Sequence, residues 1–301
     1  MNTPILFLIF NRPEVTARVF AAIRAARPPR LFVAADGPRS DRPGENDKCL
    51  ETRRIATEVD WPCEVSTRFL EENLGCRRAV SSAIDWFFSE VEEGIILEDD
   101  CLPSPDFFCY AEAMLEKFRA TPRVMHIAGA NFQRGVKRGD KAVFFSTIPH
   151  IWGWASWRRA WRHYDAEMGD FPQFRSEHGD SLLPGQPFLR WRLLRIFELV
   201  YRHSPHFNTW DCQWHYALLR YGGLAVNPNN NMISNIGGSG THEVGGELLA
   251  LPCTPLPKEL TVPELLEADP DAERFSYQFF RGNWKERARY FRYRLLNHFR
   301  R

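Results

Sequence analysis

The stretch Ile95-Ile96-Leu97-Glu98-Asp99-Asp100 constrains the fold of this chain most, because it joins three aliphatic residues directly to three acids. An aliphatic run bounded by Gly94 predicts a buried strand of a parallel sheet. Ligands of such sheets bind outside the carboxyl ends of the strands, and three adjacent carboxylates repel one another unless a cation or hydrogen bonds hold them. The pattern favours a divalent metal bound by carboxylate and phosphate oxygens. The alternative is an acidic turn in which Asp100 helps to cap the next helix.

Strand and helix patterns alternate on either side of this stretch. Residues 4–10 and 31–35 have strand-like apolar runs, and the segment between them has the apolar spacing of a helix. A strand–helix–strand order predicts a parallel sheet. Further strands are predicted at 63–69, 124–128, 143–146 and 224–226, and further helices at 49–59, 107–118 and 193–203. The predicted fold class is therefore α/β, with a mixed, mostly parallel sheet flanked by helices.

Composition and charge exclude few classes of function. The chain has 301 residues, 44% hydrophobic and 26% charged, which is typical of a globular protein, and its net charge of +1 gives no reason to expect a nucleic-acid partner. The seven cysteines form no CxxC pair, and no apolar run is long enough to cross a bilayer. We therefore expect free thiols and a cytoplasmic protein, with peripheral contact at the inner face of the membrane as an additional hypothesis.

Tryptophans cluster in the second half of the chain. Trp152-Gly153-Trp154 is followed closely by Trp157 and Trp161, which are four residues apart and can share a helix face. Aromatic faces suit the C–H faces of sugars, although core packing explains most tryptophan burial. We expect Trp152 or Trp154 at a binding site, Gly153 to allow close backbone approach, and Trp157 and Trp161 in the core.

The ordered set of motifs resembles the GT-A class of nucleotide-sugar-dependent glycosyltransferases, over roughly residues 4 to 245. The segments that carry the resemblance are Phe10-Asn11-Arg12-Pro13, Asp36-Gly37, Asn73-Leu74-Gly75, Glu98-Asp99-Asp100, Trp152-Gly153-Trp154 and Trp210-Asp211. Within this class the chain resembles the N-acetylglucosaminyltransferase I type. It has a second Asp directly after the first in its later motif, where this chain has Cys212.

The resemblance implies both an organisation and an activity. Residues 1–128 would form the nucleotide-sugar-binding half, 129–250 the acceptor-binding and catalytic half of the same GT-A domain, and 251–301 a C-terminal extension. The implied activity is metal-dependent, inverting transfer of a sugar from a nucleotide-diphosphate donor, with a UDP-sugar favoured and Mn²⁺ or Mg²⁺ as cofactor. The acceptor would be a glycan or a lipid-linked oligosaccharide in bacterial surface polysaccharide assembly.

The same resemblance assigns residues to the donor. Asp100 would ligate the metal, and Glu98 and Asp99 would reach the ribose, the donor sugar or metal-bound water. Asp36 would contact the base or ribose and Arg12 the base, beside Phe10 and Asn11. The alternatives are a turn residue for Asp36 and a solvated charge for Arg12. Arg78, or its neighbour Arg77, would touch a phosphate or remain a surface charge.

Asp211 is the predicted general base. Its neighbour Trp210 is predicted to contact the acceptor or a sugar. A carboxylate there can take the proton of the attacking hydroxyl, while the alternative is an acid favoured by the helix dipole. Asp170 and Glu243 are the substitute carboxylates. Such an enzyme would displace the diphosphate in one step.

Two segments carry separate hypotheses. The glycine-rich run 236–241 can close over a diphosphate and bring His242 to the metal or phosphate, or it is a plain surface loop. In the tail, apolar residues recur on one helical face between basic ones, as at Trp284, Ala288 and Phe291. A basic amphipathic helix can lie on an anionic membrane; the alternative is a helix docked on the domain.

Two other functions remain open at the level of sequence. The same acids can serve a phosphohydrolase that acts on a nucleotide sugar with water as nucleophile. A catalytically silent module that binds a sugar nucleotide or a glycan is the third hypothesis.

Overall fold

The computed structural model describes residues 1–203, 207–238, 251–279 and 288–292. Its strands are β1 (Ile5–Ile9), β2 (Arg30–Ala35), β3 (Glu64–Phe69), β4 (Glu93–Glu98), β5 (Cys101–Pro103), β6 (Val124–Ala128), β7 (Val143–Ser146), β8 (Trp154–Trp157), β9 (Leu224–Pro228) and β10 (Ile233–Asn235). Its helices are α1 (Pro13–Ala26), α2 (Glu45–Thr57), α3 (Gly75–Glu90), α4 (Pro105–Phe118), α5 (Arg158–Trp161), α6 (Phe171–His178), α7 (Pro187–Tyr201), α8 (Asp211–Arg220) and α9 (Pro270–Phe279).

An eight-stranded mixed sheet forms the centre of the protein, in the order β3-β2-β1-β4-β8-β6-β9-β7. Strands β1 to β4 pair in parallel, and β8 and β7 run against their neighbours. Strands β5 and β10 form a separate antiparallel pair. Strand β5 follows the acids directly in the chain. These directions confirm the predicted α/β fold class, a mostly parallel, Rossmann-like sheet flanked by helices.

Alternation of side chains along β1 explains why both faces of the sheet are covered. Phe7 packs on one face and Leu6 and Leu8 on the other, and every residue of β1 is buried. A parallel sheet with two buried faces needs a helical layer on each side. The register pairs Leu8 with Glu98, so the end of β1 lies beside the acids that follow β4.

Several elements differ from their sequence prediction. Helix α2 begins at Glu45, four residues before the start of the helix predicted at 49–59. Trp157 ends the buried strand β8 and does not share a helix face with Trp161, although both residues are in the core as expected. The sequence analysis did not predict β5, β8, β10, α6 or α9. The short strands offer too few residues for a periodic pattern to be recognised.

Part of the C-terminal extension packs on the main domain. The Ala142 amide donates to the Thr261 carbonyl at 3.1 Å, and Leu256 and Val262 pack against the core. Residues 288–292 are helical, but Tyr290 is their buried residue and packs against Phe188 and Trp191, whereas Phe291 is 62% exposed. Ala288 and Phe291 of the predicted apolar stripe are both exposed here, and the rest of the predicted tail helix lies outside the described ranges.

All seven cysteines are free thiols, as predicted. No helix in the described ranges is both long and apolar enough to cross a membrane.

Candidate functional site

The carboxyl ends of β1, β2 and β4 meet at one edge of the sheet because these strands are parallel neighbours. The segments 10–12, 36–37 and 98–100 therefore lie together there, as the parallel topology predicted. The N-termini of α3 and α8 and the glycine-rich segment 236–238 complete the same edge, as the contacts below show. We refer to this region as the strand-end cleft.

Arg12 holds two of the three acids. Its Nη2 pairs with Asp99 Oδ1, its Nε donates to Asp99 Oδ2 at 3.3 Å, and its Nη1 lies 3.0 Å from Asp100 Oδ2. Asp99 is 3% exposed, so its charge depends on the Arg12 guanidinium and on a hydrogen bond from the Phe10 backbone amide. Arg12 was predicted to contact the nucleotide base or to be a solvated charge; in the structure its guanidinium supplies the cation that adjacent carboxylates require.

Burial and mutual repulsion set the charge of the acidic cluster. Burial, with further contributions from Asp100 and Asp99, raises the pKa of Glu98 to about 8. Burial also raises the pKa of Asp99, while the Arg12 guanidinium opposes that rise. Glu98 is therefore mostly protonated at neutral pH, where it can donate a hydrogen bond as well as accept one.

Asp36 anchors the start of α3 and is not a free ligand. Its carboxylate accepts hydrogen bonds from the backbone amides of Gly37, Leu74 and Gly75 at 2.8–2.9 Å, and from Asn73 Nδ2 at 3.0 Å. These contacts match the turn-residue alternative for Asp36, and a base or ribose would have to share its oxygens with these donors. The carboxylate fixes the position of α3 relative to β2.

Replacing Asp36 by alanine is expected to lower the free energy of unfolding by about 2–4 kcal/mol, because four donors lose a charged acceptor. Urea denaturation monitored by circular dichroism measures this change. Asp41→Ala is the matched control, since the Asp41 side chain is 76% exposed and only borders Arg42. An equal effect in both variants would contradict the anchoring role of Asp36.

Two residues that the sequence analysis missed support the turn after β1. Asn11 Nδ2 donates to Glu45 Oε1 at 2.8 Å, and the Arg39 backbone amide donates to Glu45 Oε2 at 2.7 Å. The hydrogen bond from the Arg39 side chain is the main reason why the pKa of Glu45 falls to about 2. The Arg39 guanidinium also lies 5.5 Å from the ring centroid of Phe10. Neither residue was found because α2 was predicted to start after both.

The N-terminus of α3 faces the segment that precedes α8. Gly75 has φ +77°, and a Cβ there would lie 2.7 Å from Asn208 Nδ2. Asn208 Oδ1 accepts from the Arg77 amide at 3.2 Å. The amides of Leu74, Gly75 and Arg77 are thus already paired, which leaves few donors here for a phosphate.

The two arginines that follow differ in their surroundings. Arg77 Nη2 donates to the Ala166 carbonyl, and Arg77 Nη1 lies 2.8 Å from His203 Nδ1. The contact with Ala166 joins α3 to the segment after α5. Arg78 is exposed and forms no hydrogen bond or ion pair with any other described residue. Arg78 therefore is the arginine of this pair that can reach a bound anion.

Asp211 is the first residue of α8 and accepts a hydrogen bond from the Thr209 hydroxyl. Its charge acts on Glu98 and on the thiol of Cys76. Burial of that thiol, with the charges of Glu98, Asp211 and Asp36, raises the pKa of Cys76 to about 12, although the residue as a whole is exposed. The fold thus brings Asp211 to the same cleft as the acids. Sequence reasoning missed Cys76 because a cysteine without a partner motif gives no signal.

The substitute carboxylates are less suitable than Asp211. Asp170 accepts from the Tyr216 hydroxyl at 2.6 Å and pairs with Arg220. These partners outweigh partial burial and lower the pKa of Asp170, so this acid is a poor proton acceptor. Glu243 lies outside the described residues.

The described part of the glycine-rich run packs directly on the acidic cluster. The Ile236 amide donates to the Asp100 carbonyl at 2.8 Å. A Cβ on Gly237 would lie 2.6 Å from Asp100 Oδ2 and 2.9 Å from Arg12 Nη1, so a larger residue would have to displace these two side chains. This placement agrees with a loop that approaches a bound diphosphate. His242, the predicted metal or phosphate contact, lies outside the described residues.

The tryptophans of the two motifs separate into buried and accessible rings. Trp154 and Trp210 are at most 1% exposed and stack on each other at 5.7 Å between ring centroids. Trp154 also stacks on the buried His126 at 5.0 Å. Neither ring is open to a sugar, so we do not place Trp154 or Trp210 in an acceptor site. Trp152 is only partly buried and meets Phe132 edge-on at 4.8 Å.

Gly153 serves packing between these rings. Its φ is +56°, and a Cβ would lie 2.4 Å from Ile233 Cδ1. The Gly153 carbonyl accepts from the Gly129 amide at 2.8 Å. The close approach predicted for Gly153 is therefore made to the protein's own chain.

The donor set suits a hard divalent ion only in part. Within the described ranges, no group of three or more His, Cys, Asp or Glu side chains could hold a metal. Magnesium is usually held by one or two carboxylates together with substrate phosphates. Asp100, 17% exposed in its side chain, can supply such a carboxylate, although its Oδ2 is engaged by Arg12.

Comparisons with known proteins give only distant similarities. No protein-family model matches the sequence, and no curated protein matches it. Among solved structures, UDP-glucose pyrophosphorylase in complex with UDP-glucose has 11% identity and a TM-score of 0.37, covering 76% of this chain and 91% of that one. Mouse xyloside xylosyltransferase 1 has 11% identity and a TM-score of 0.34, covering 74% and 82%. The 4-diphosphocytidyl-2C-methyl-D-erythritol synthase of Anaerococcus prevotii has 10% identity and a TM-score of 0.33, covering 54% and 75%. We assign no activity to this chain from similarities of this size.

Proposed function

We propose that this protein is a GT-A-type glycosyltransferase that moves a sugar from a nucleotide-diphosphate donor, with a UDP-sugar favoured, to a glycan or lipid-linked acceptor. The observation that carries the proposal is the strand-end cleft, which gathers Arg12, the acids 98–100, Gly237 and Asp211. Glycosyl transfer needs a stabilised diphosphate leaving group, a base for the acceptor hydroxyl and fixed positions for both sugars. The cleft offers a group suited to each of the first two needs.

In this proposal the donor diphosphate lies beside Asp100 and the segment 236–238. A divalent ion bound by Asp100 and the phosphates would supply Lewis-acid stabilisation of the leaving group. Arg78 contributes a further positive charge from α3, and protonated Glu98 donates a hydrogen bond to a donor hydroxyl. Asp211 accepts the proton of the attacking hydroxyl, and single displacement inverts the anomeric centre. Trp152 is the proposed contact of the acceptor.

A thermal-shift screen of UDP, GDP, CDP and TDP, each with and without Mn²⁺, tests the proposal. Binding to the native state raises the apparent melting temperature. We expect one diphosphate to raise it in a Mn²⁺-dependent way, and Asp100→Ala to abolish that shift. No shift with any diphosphate would contradict the proposal.

Transfer and hydrolysis are then distinguished by products. The sugar of the stabilising nucleotide should appear on an added glycan acceptor, and release of free sugar should be slow without one. Rapid, acceptor-independent release would indicate the phosphohydrolase that the same acids can support.

A further inference from the structure

The two edges of the central sheet differ in what covers them. At β7, the C-terminal extension covers the edge, because Phe145 forms a bridge with Ala268 and its carbonyl accepts from the Asp269 amide at 2.8 Å. At the other edge, β3 pairs with β2 alone among the described strands. An uncovered edge strand offers a row of backbone donors and acceptors to a further strand.

The hydrogen bonds between β3 and β2 show which residues of β3 face outward. The Glu64 amide donates to the Pro29 carbonyl at 2.9 Å, and the Leu70 amide donates to the Ala35 carbonyl at 3.0 Å. Successive backbone groups of a strand point to opposite sides, so the even-numbered residues of β3 bond to β2. The odd-numbered residues therefore direct their amides and carbonyls away from the sheet.

The outward-facing part of β3 is accessible and partly apolar. Val65 and Thr67 are both exposed and follow each other among the outward-facing residues. Val65 is a large hydrophobic residue with 37% of its surface exposed. A strand laid along this edge would satisfy the free backbone groups and cover Val65.

In one register, β3 is complementary to a second copy of itself. In an antiparallel pair with a twofold axis at Ser66, Glu64 of each copy lies opposite Arg68 of the other. The same register places Val65 opposite Thr67, so the outward-facing residues form the hydrogen-bonded pairs, as an antiparallel ladder requires. Moving the axis by one residue in either direction keeps this backbone pattern but places both charged residues opposite uncharged ones.

The two charged side chains are available for this pairing. Glu64 lies 3.2 Å from Arg30 in an ion pair, but its side chain is 65% exposed and can reach a second cation. Arg68 forms no hydrogen bond or ion pair within the described ranges, although its charge acts on Asp85 of α3. Opposite charges that face each other across two strands stabilise the pairing.

We propose that β3 is a homodimer interface, at which two copies of this chain join their sheets edge to edge and antiparallel about Ser66. The partner is a second copy because β3 meets its own backbone and charge pattern in this register, twice over, as a twofold interface does. The interface uses no residue assigned to the strand-end cleft, so the inference does not depend on the proposed function.

Sedimentation velocity of the full chain over a range of concentrations tests the proposal. We expect the wild type to dimerise. Glu64→Arg and Arg68→Glu should each raise the dissociation constant roughly tenfold or more, since two opposite-charge pairs become two like-charge pairs. Arg18→Glu is the matched control, because Arg18 is exposed on α1 and not on β3, and it should dimerise as the wild type does.

A mixture of the two single variants distinguishes the charge register from a general loss of stability. In a mixed dimer, the arginine introduced at position 64 of one chain faces the glutamate introduced at position 68 of the other. The native Arg68 of the first chain faces the native Glu64 of the second. Both pairs are attractive again, so the mixture should dimerise with about the wild-type affinity although neither variant does so alone.

Disulfide cross-linking locates the axis independently of charge. Residues opposite each other in a non-hydrogen-bonded antiparallel pair have Cα atoms about 4.5 Å apart, within the range of a disulfide. Oxidation should link chains that carry Ser66→Cys but not chains that carry Thr67→Cys, because position 67 faces position 65 of the partner. A monomeric wild type, a dimer that both charge reversals leave intact, a mixture that stays monomeric, or unlinked Ser66→Cys chains would overturn the inference.

Discussion

Replacing Asp211 by asparagine is expected to lower the turnover number by roughly 10²–10⁴-fold, because the variant keeps the shape of the side chain but cannot accept a proton. The amide oxygen of the introduced asparagine can still accept the hydrogen bond that the Thr209 hydroxyl donates to Asp211, so α8 should begin as before. Donor affinity should change little, since the proposed diphosphate position is beside Asp100 and the segment 236–238. Steady-state assays of sugar transfer therefore should show a loss in kcat with little change in the KM for donor.

Asp170→Asn is the matched control for this loss. Asp170 is also an acid at the start of a helix, but its oxygens are engaged by Tyr216 and Arg220. We expect this variant to lose stability and to retain turnover at temperatures where it is folded. A larger loss of turnover in Asp170→Asn than in Asp211→Asn would reverse the assignment of the base.

Replacing Trp154 by alanine is expected to lower the free energy of unfolding by about 3–5 kcal/mol. Its ring is fully buried and lies within 6.2 Å, between centroids, of Trp161, Trp210 and Trp214. Alanine would leave a cavity at the centre of this cluster, between β8 and α8. Urea or thermal denaturation measures the loss.

The comparison with Trp152→Ala separates packing from acceptor binding. Trp152 is partly exposed, so its loss should cost only about 1–2 kcal/mol and should raise the KM for acceptor. If Trp154→Ala instead kept its stability and lost acceptor binding, its assignment to the core would be wrong.

The sheet and the meeting of its strand ends could be predicted because they depend on local patterns. Continuous apolar runs identify β1, β2 and β4, and the parallel order then brings Arg12 near Glu98. The same reasoning places the acids at this edge, whereas the glycine-rich segment had two open alternatives. These steps require only periodicity and chain direction.

The partners of the side chains could not be predicted in this way. Asp36 was expected to bind a ligand or to be a turn residue, and it binds three backbone amides and Asn73, because the loop from 71 to 75 returns to β2. Arg12 was expected at a base or in solvent, and in the structure it neutralises Asp99 and Asp100. Such contacts join positions far apart in sequence, and a motif contains no information about which charge is nearest.

The tryptophans also show that a motif does not identify the surroundings of its side chains. A Trp-Gly-Trp segment is equally compatible with a sugar platform and with a core strand. Only the pairing of β8 between β4 and β6 decides that Trp154 points into the core. Trp152, before the strand begins, stays partly open.

The most direct test of the central claim is protection of Cys76 from alkylation by a bound nucleotide. Cys76 is exposed beside Glu98 and Asp211, and Cys109 on α4 is an exposed internal reference. Because the pKa of Cys76 is raised to about 12, its labelling should be slow and is best followed by mass spectrometry of the two peptides over time. We predict that the diphosphate which stabilises the protein, added with Mn²⁺, slows labelling of Cys76 several-fold and leaves Cys109 unchanged. Equal labelling rates with and without that saturating ligand would show that it binds elsewhere and would contradict the assignment of the strand-end cleft as the donor site.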